Sequence, residues 1–490
     1  MAGRSTEPDA SGQRISRGLA WIGLGSALIG VLDLAAQILI LHFFLSPAEY
    51  GVAALVTTLF PFLDQATNMG LASAVIQRDD HSPDKISTVF WLNVLLSVAM
   101  FGALALVAPV YARWQGHPVI GPMLLAYGGK LLFQNVYSIP VAMMKRELRF
   151  KELSLIRIIA NVAEFGAKVG LAAMGWSSWC FVVAALVSAL IVGVGVQLRH
   201  PWRPGLVFRP REASAYARFG VTTSASQLLF YLYTNADYPV VSKLFGATAL
   251  GLYRAAYELV LELVRTIAGV FIEMGFPTFA RLRADRARVT EQFIAFTRQA
   301  LVAIVPVVVV IFIAAEETLT VVWGPAYAQA ATAARILCIV AVLRGLSHVV
   351  PPLLDGIGRP SLTLIYHAFA AIALPALFVI CGLELGPSYG YGSVALAWAI
   401  GYPMALAILL VLAFRQLGLS PFLYLRRTLG IPGCAVLAWP AGWGVHVLTS
   451  GWPALPRLIA VAIASLVVFS TLLARLQGIS VRTIWRSIKP

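Results

Sequence analysis

The run YGYGSVALAWAIGYPMALAILLVLAF (Tyr389–Phe414) contains no charged residue and is followed directly by Arg415. A run of about 20 apolar residues is long enough to cross the hydrocarbon core of a bilayer as a helix. Lipid offers the backbone no hydrogen-bond partners, so a segment buried in it must satisfy its own amide and carbonyl groups, as a helix does. This run therefore predicts a membrane-spanning helix.

Runs of the same kind recur along the 490-residue chain, and we count fourteen. Hydrophobic residues make up 59% of the chain and charged residues only 12%, whereas a soluble protein carries about 25% charged residues. We therefore predict an all-α polytopic membrane protein. The predicted spans are 19–44, 50–76, 87–111, 119–144, 153–173, 178–198, 214–240, 247–280, 292–322, 327–354, 361–383, 389–414, 429–449 and 456–474.

The loops between these spans alternate in charge. One side carries 26 Lys and Arg residues, and the other carries only Arg113, Lys243 and Arg457. Loops rich in Lys and Arg stay in the cytoplasm, so we predict that both termini are cytoplasmic. The net charge of +15 lies beside the spans, where it meets the head groups of membrane lipids. We therefore do not expect a nucleic-acid partner.

The chain also contains a weak internal repeat. FLSPAEYG (Phe44–Gly51) and LFGATALG (Leu244–Gly251) follow spans one and seven at an offset of 200 residues. Six spans separate them, so the predicted halves run parallel. We predict a disordered cytoplasmic tail at 1–18, six-helix lobes at 19–198 and 214–416 joined by a cytoplasmic linker at 199–213, and two further helices with a cytoplasmic tail at 417–490. Kinks are expected near Pro61, Pro140, Pro277, Pro351 and Pro403.

Seven stretches with a recognisable pattern follow one another along the chain. They are LSPAEYGVAALV (Leu45–Val56), NMGLASAVIQRDD (Asn68–Asp80), STVFWLN (Ser87–Asn93), APVYARW (Ala108–Trp114), IPVAMMKRELRFKEL (Ile139–Leu153), KLFGATALGLYRAAYELV (Lys243–Val260) and GFPTFARLRAD (Gly275–Asp285). Together they resemble the oligosaccharide flippases of the multidrug/oligosaccharidyl-lipid/polysaccharide (MOP) exporter superfamily, in particular the Wzx-like polysaccharide transporters of the colanic-acid and exopolysaccharide type. The resemblance covers roughly residues 15–420. In place of an Ala-Arg pair that often precedes the first external loop, this chain has His42-Phe43.

The resemblance implies two six-helix lobes that open alternately to either side of a bacterial inner membrane. It implies transport of an undecaprenyl-pyrophosphate-linked oligosaccharide for exopolysaccharide or lipopolysaccharide biosynthesis, alongside a polysaccharide polymerase and export machinery. Three alternatives stay open. One is a small-molecule exporter of the same superfamily. Another is a membrane glycan polymerase or ligase, although the external loops are short for such an enzyme. The third is a lipid II flippase.

Charged residues inside the spans are the candidate functional residues, because a charge at the bilayer centre costs at least about 2.5–3.5 kcal/mol and usually pairs or lines a watery cavity. Arg254, Glu258, Glu262 and Arg265 are spaced 4, 4 and 3, which would place them on one face of a regular helix. The arginines could hold a pyrophosphate or an acidic sugar, and the glutamates could take up protons. Alternatively, the four residues form a self-neutralising ladder of ion pairs.

Lys130 and Arg344 are further candidates for binding an anionic substrate, with snorkelling to the interface as the alternative for basic residues in spans. Asp33, Asp64 and Asp237 could bind Na⁺ or H⁺ and drive the cycle, or they could serve as salt-bridge partners. The sequence contains no phosphate-binding GxxxxGK[ST] loop, no HExxH motif and no Cys/His cluster. We therefore expect no cofactor, no metal and no catalytic residues. The four cysteines are expected to be small buried hydrophobes.

Overall fold

A computed structural model describes residues 8–68, 82–209 and 225–479, and all regular structure within these ranges is helical. The motif residues 69–80, the first part of predicted span seven and the C-terminal tail from residue 480 lie outside them. The helices are α1 (Pro8–Phe43), α2 (Pro47–Thr57), α3 (Leu59–Asn68), α4 (Pro83–Gln115), α5 (Ile120–Arg146), α6 (Phe150–Ala173), α7 (Trp179–Arg199), α8 (225–235), α9 (Asp237–Tyr257), α10 (Leu263–Leu282), α11 (Arg286–Ile313), α12 (Ala315–Trp323), α13 (Ala331–Ser347), α14 (Val350–Gly356), α15 (Pro360–Glu384), α16 (Gly386–Tyr389), α17 (Gly392–Leu417), α18 (Pro421–Thr428), α19 (Gly430–Leu448) and α20 (Ala454–Gln477).

Nine segments of the described ranges are long and apolar enough to cross a membrane. The chain is a multi-pass membrane protein, and the count of fourteen spans stays a prediction. Helices such as α6 are not among the nine because they carry several charged residues. The nine segments are Gly23–Phe43, Pro83–Gln115, Trp179–Arg199, Arg286–Ile313, Pro325–Gly356, Pro360–Glu384, Gly392–Leu417, Pro421–Leu448 and Ala454–Gln477.

Two predicted features at the start of the chain need correction. Helix α1 begins at Pro8, so the tail expected to be disordered up to residue 18 is helical in its second half. Proline is favoured at the first helical position because its fixed φ suits a helix start. Predicted span two is broken at Thr58, between α2 and α3. Pro61 explains the break, since it has no N–H to donate to the carbonyl of Thr57.

The other predicted kinks differ from one another. The helix is interrupted at 348–349, directly before the Pro351 pair, whereas Pro140, Pro277 and Pro403 lie inside continuous helices. A proline inside a membrane helix is tolerated where neighbouring groups satisfy the freed carbonyl.

The chain divides into two compact units, residues 1–232 and 233–490. In unit 1, α4 packs on α5, α6 packs on α7, and α1 lies against α6. In unit 2, α15 packs on α17, and α13 lies against α11 and α17. The last two helices, α19 and α20, belong to unit 2 and pack on α11 through a buried apolar cluster that includes Leu301, Val305, Ile431, Cys434, Phe469 and Leu473.

The two repeated loops turn the chain by different means. In unit 1, Ser46 caps α2: Glu49 N–H donates to Ser46 Oγ, and Ser46 N–H donates to Glu49 Oε2 at 2.9 Å. In unit 2, Gly246 has φ 87° and ψ 173° and divides α9 into two segments. Asp237 and Tyr253 would lie about 24 Å apart in an unbroken helix, yet Tyr253 Oη donates to Asp237 Oδ2 at 2.7 Å. The chain therefore reverses at Gly246.

Candidate functional site

Charged side chains from four helices of unit 1 interact in what we call the unit 1 charge cluster. The Asp33 carboxylate is attracted by Lys168 and Lys130 and repelled by Glu164. Lys130 in turn is attracted by Glu164 and Asp64. Lys168 Nζ lies 3.3 Å from Glu164 Oε1, one helical turn away at i, i+4. The cluster holds three acids and two lysines, so both lysines have compensating charge.

Aromatic rings hold Lys130 in this cluster. Its Nζ lies 4.8 Å from the centre of the Phe60 ring and 5.6 Å from that of Tyr127. A cation over an aromatic face gains about 0.5–2 kcal/mol, more where water is excluded. Lys130 is partly buried. The ammonium group is therefore held within unit 1 by rings on one side and carboxylates on the other.

Amide side chains hold the two aspartates of the cluster. Gln134 Nε2 donates to Asp64 Oδ1 at 2.8 Å, and Asn161 Nδ2 donates to Asp33 Oδ1 at 3.2 Å. Asp33 is exposed at the surface of unit 1, whereas Asp64 is partly buried. An amide donor thus bonds one oxygen of each carboxylate.

In unit 2, Asp237 is fully buried and accepts three hydrogen bonds. Tyr253 Oη and Trp398 Nε1 donate to Oδ2 at 2.7 and 2.9 Å, and the Tyr238 backbone N–H donates to Oδ1 at 3.1 Å. A carboxylate offers about four acceptor positions, so most of those of Asp237 are occupied. The attraction between Asp237 and Arg344 adds a compensating positive charge.

Arg344 is 6% exposed and lies among aromatic side chains. Its guanidinium carbon lies 4.5 Å from the Trp398 ring centre, 5.4 Å from Tyr257 and 5.5 Å from Tyr402. Arg344 Nη1 donates to Tyr257 Oη at 3.0 Å, and within the described part of the chain no group accepts a hydrogen bond from its Nη2. A flat guanidinium suits this position because it stacks on rings while its edge donates.

The charged residues expected on one helical face form two separate pairs. Arg254 Nε donates to Glu258 Oε1 at 2.7 Å, and Arg265 Nε lies 2.6 Å from Glu262 Oε2. The assumption of a regular α-helix is wrong here, because residues 258–262 form a π-helical turn. Arg254 and Glu258 are largely buried, whereas the Glu262 and Arg265 side chains are 40% and 54% exposed. The second pair is thus open to a ligand, and its role in binding stays a prediction.

One charged group in unit 2 was not predicted from the sequence. Glu317 on α12 is 4% exposed; its Oε1 lies 2.6 Å from Arg457 Nη1 on α20 and 3.1 Å from His446 Nε2 on α19. Arg457 is one of only three basic residues on the predicted external side. This rarity is the sequence feature that could have identified the group. The group fastens the last two helices to α12.

In the ranges 8–68, 82–209 and 225–479, no three His, Cys, Asp or Glu side chains are grouped so that they could bind a metal ion. The four cysteines are all buried and unpaired, as predicted. The candidate functional residues therefore fall into separate groups: the unit 1 charge cluster in unit 1 and, in unit 2, the buried Asp237–Arg344 group and the more exposed Glu262–Arg265 pair.

Comparison with known proteins identifies relatives in sequence and a solved structure of similar fold. The chain is 25% identical over 389 residues to the teichuronic acid biosynthesis protein TuaB of Bacillus subtilis, with 79% of each chain covered. It is 24% identical over 380 residues to the lipopolysaccharide biosynthesis protein WzxC of Escherichia coli, with 75% of each chain covered. Among solved structures, the fold resembles that of the lipid II flippase MurJ in its inward closed conformation, with a TM-score of 0.67 at 15% identity over 93% of this chain and 99% of that one.

The chain also matches a described protein family. The family described as "Polysaccharide biosynthesis protein" matches residues 40–332, which is more than half of the chain. The matched range includes the unit 1 charge cluster from Asp64 onward, Asp237 and the Arg254–Arg265 segment. This chain therefore belongs to the polysaccharide biosynthesis protein family.

Proposed function

We propose that this chain is a transporter, not an enzyme, that flips lipid-linked oligosaccharide repeat units across the bacterial inner membrane by alternating access. The substrate is an oligosaccharide on undecaprenyl pyrophosphate, delivered to the outer leaflet for surface polysaccharide synthesis. Both termini lie in the cytoplasm, in keeping with the distribution of Lys and Arg among the loops. A polysaccharide polymerase and export machinery then use the product.

The observation that carries the proposal is the match of residues 40–332 to the polysaccharide biosynthesis family. Two further findings support it. The relatives TuaB and WzxC are named for the biosynthesis of cell-surface polymers. The fold, over 93% of the chain, is that of a protein whose name describes flipping of a lipid-linked glycan precursor. A small-molecule exporter of the same superfamily would share the fold but not this family match.

The sidedness of lipid-linked oligosaccharide tests the proposal directly. Cells that lack the protein are treated, intact and opened, with a sugar-labelling reagent that does not cross membranes. Intermediates labelled only in opened cells, with little polymer outside, are the expected result. Short units labelled on intact cells would indicate a polymerase or ligase instead. No accumulated intermediate on either side would overturn the proposal in favour of the small-molecule exporter.

Arg265 is the predicted substrate-binding residue with the most open side chain, and it gives the sharpest residue test. We expect Arg265→Ala to lower the transport rate at least tenfold, because a charge-assisted bond to a phosphate contributes about 1.5–3 kcal/mol. The matched control is Arg288→Ala, which removes the exposed arginine of another i, i+3 pair, with Asp285. Wild-type transport by Arg265→Ala protein at normal membrane levels would remove Arg265 from the binding site.

A further inference from the structure

The ten residues that follow α7 are fixed along the first turns of α4, and we call residues 200–209 the strap. Its partners on α4 are Asp84, Ser87, Thr88 and Trp91, whose spacing of i, i+3, i+4 and i+7 places them on one helical face. The Trp202 ring also packs edge-on against Phe90 at 5.4 Å. The contacts with the α4 face are Gly205 N–H to Ser87 Oγ at 2.9 Å, Trp91 Nε1 to the Gly205 carbonyl at 2.9 Å, Arg209 N–H to Thr88 Oγ1 at 3.2 Å and Arg209 Nη2 to Asp84 Oδ2 at 3.4 Å.

The strap turns its backbone toward α4 and exposes the side chains of Leu206 and Phe208. Gly205 and Val207 accept bonds from Trp91 and Thr88 through their carbonyls. Leu206 and Phe208, which alternate with them, are 92% and 47% exposed. Exposed apolar side chains held outward by a fixed backbone point to a surface that covers them.

The depth of the strap identifies that surface. Helix α4 has 33 residues and is about 50 Å long at 1.5 Å per residue, against about 30 Å for the hydrocarbon core. A centred helix leaves about 10 Å at each end in the head-group layer, equal to about seven residues. The anchoring residues Asp84, Ser87 and Thr88 lie within this length, and Trp91 lies just beyond its inner edge. The contacts run from Trp91 toward Asp84 as the strap proceeds from Gly205 to Arg209, so Leu206 lies level with lipid head groups.

Charge complements the apolar pair. Arg203 and Arg209, on either side of Leu206 and Phe208, are both exposed. Arginine buries its aliphatic stem along apolar surface while its guanidinium stays at the polar layer, where it bonds phosphate. We propose that the strap is a binding surface for anionic phospholipid, with Leu206 and Phe208 at the head-group boundary and the two arginines on lipid phosphates. The proposal does not depend on what the chain transports.

A fluorescent probe at position 206 tests this proposal. Because the four native cysteines are buried, Leu206→Cys protein can be labelled selectively with an environment-sensitive nitrobenzoxadiazole. The full chain is reconstituted into phosphatidylcholine vesicles with or without phosphatidylglycerol. We expect quenching by head-group nitroxide lipids and protection from aqueous iodide, both greater with phosphatidylglycerol. Equal iodide access in vesicles and in detergent would overturn the proposal, and equal contact in both vesicle types would overturn its anionic part.

Two further variants test separately the role of Arg203 in lipid binding and the role of the anchors that hold the strap on α4. Arg203→Gln in the labelled protein is expected to lower the ratio of lipid-contacting to water-exposed label about fivefold, since an arginine near an anionic leaflet contributes about 1 kcal/mol. Trp91→Phe removes one anchor of the strap and is expected to reduce quenching in both vesicle types. Unchanged quenching in both variants would contradict the assigned roles of Arg203 and the anchors.

Discussion

Individual side chains in unit 2 stabilise the buried carboxylate of Asp237. The sequence predicts its position inside a span but not the groups that bond it. Trp398→Phe keeps the ring against Arg344 but removes the indole N–H that Asp237 accepts at 2.9 Å. A hydrogen bond to a charged group contributes about 1.5–3 kcal/mol. We expect the free energy of unfolding of the purified protein to fall by that amount, as measured by chemical denaturation in detergent.

The matched control is Trp439→Phe, because the Trp439 side chain is 39% exposed at the surface of unit 2. We expect a change below about 0.5 kcal/mol, as for most surface substitutions. Equal losses in the two variants would show that Trp398 contributes through its bulk rather than its bond to Asp237.

The sequence identifies Asp237 and Arg344 as charges inside spans but not the groups that surround them. Trp398 is 161 residues from Asp237, and Tyr257 is 87 residues from Arg344. Tyrosine and tryptophan are common in membrane proteins, and nothing in local spacing marks which of them meet. Helical periodicity predicts only neighbours three or four positions apart, as it does for Glu164 and Lys168.

At the level of whole helices, close approach of backbones explains a glycine in unit 2. A Cβ added to Gly356 on α14 would lie 2.8 Å from Phe279 Cβ and 3.1 Å from the Phe276 carbonyl oxygen of α10. Backbone atoms cannot move aside independently, so Gly356→Ala should push α14 from α10. We expect a loss of about 1–3 kcal/mol in the free energy of unfolding.

Gly269 on the same helix α10 provides the control, because a Cβ there meets no atom of the described ranges within 4 Å. Gly269→Ala should be neutral or stabilise the helix by up to about 1 kcal/mol. If both alanine variants behaved alike, the contact between α10 and α14 would not be the reason for glycine at position 356.

Helix positions are the part of this fold that the sequence predicts best. Predicted spans 361–383, 429–449 and 456–474 agree closely with Pro360–Glu384, Gly430–Leu448 and Ala454–Gln477, because an apolar run and a helix end at the same polar loop. The π-helical turn at Glu258–Glu262 has no such signal. It changes the number of residues per turn without changing hydropathy, so the spacing of Arg254 and Arg265 does not reveal the break in α-helical regularity between them.

Across the whole molecule, the repeat suggested by the loops at Phe44–Gly51 and Leu244–Gly251 has a counterpart in hydrogen bonding. In unit 1, Gln37 Nε2 donates to Tyr50 Oη at 2.8 Å, and in unit 2 Tyr253 Oη donates to Asp237. In each unit a tyrosine after the turn meets a polar residue before it. The polar residues are 200 positions apart and the tyrosines 203, and the repeat itself stays a prediction.

The last two helices are predicted to lie outside the repeat, and a buried ion pair between Glu317 and Arg457 joins α20 to α12. Glu317→Gln or Arg457→Gln alone leaves one charge buried without its partner, which costs about 3–5 kcal/mol. We expect each to raise the rate at which Cys434 on α19 reacts with a maleimide. Cys180 in unit 1 provides the internal reference and should stay protected.

The double variant should lose less stability than the sum of the two single variants, because neither charge is then left unpaired. The control pair is Glu291 and Arg427, 2.7 Å apart but exposed, for which we expect below about 1 kcal/mol. Additive losses at Glu317 and Arg457, with Cys434 as protected as Cys180, would mean that the apolar cluster with α11 alone holds the last two helices. A loss confined to the single variants would instead show that the cost comes from the buried charge left without its partner.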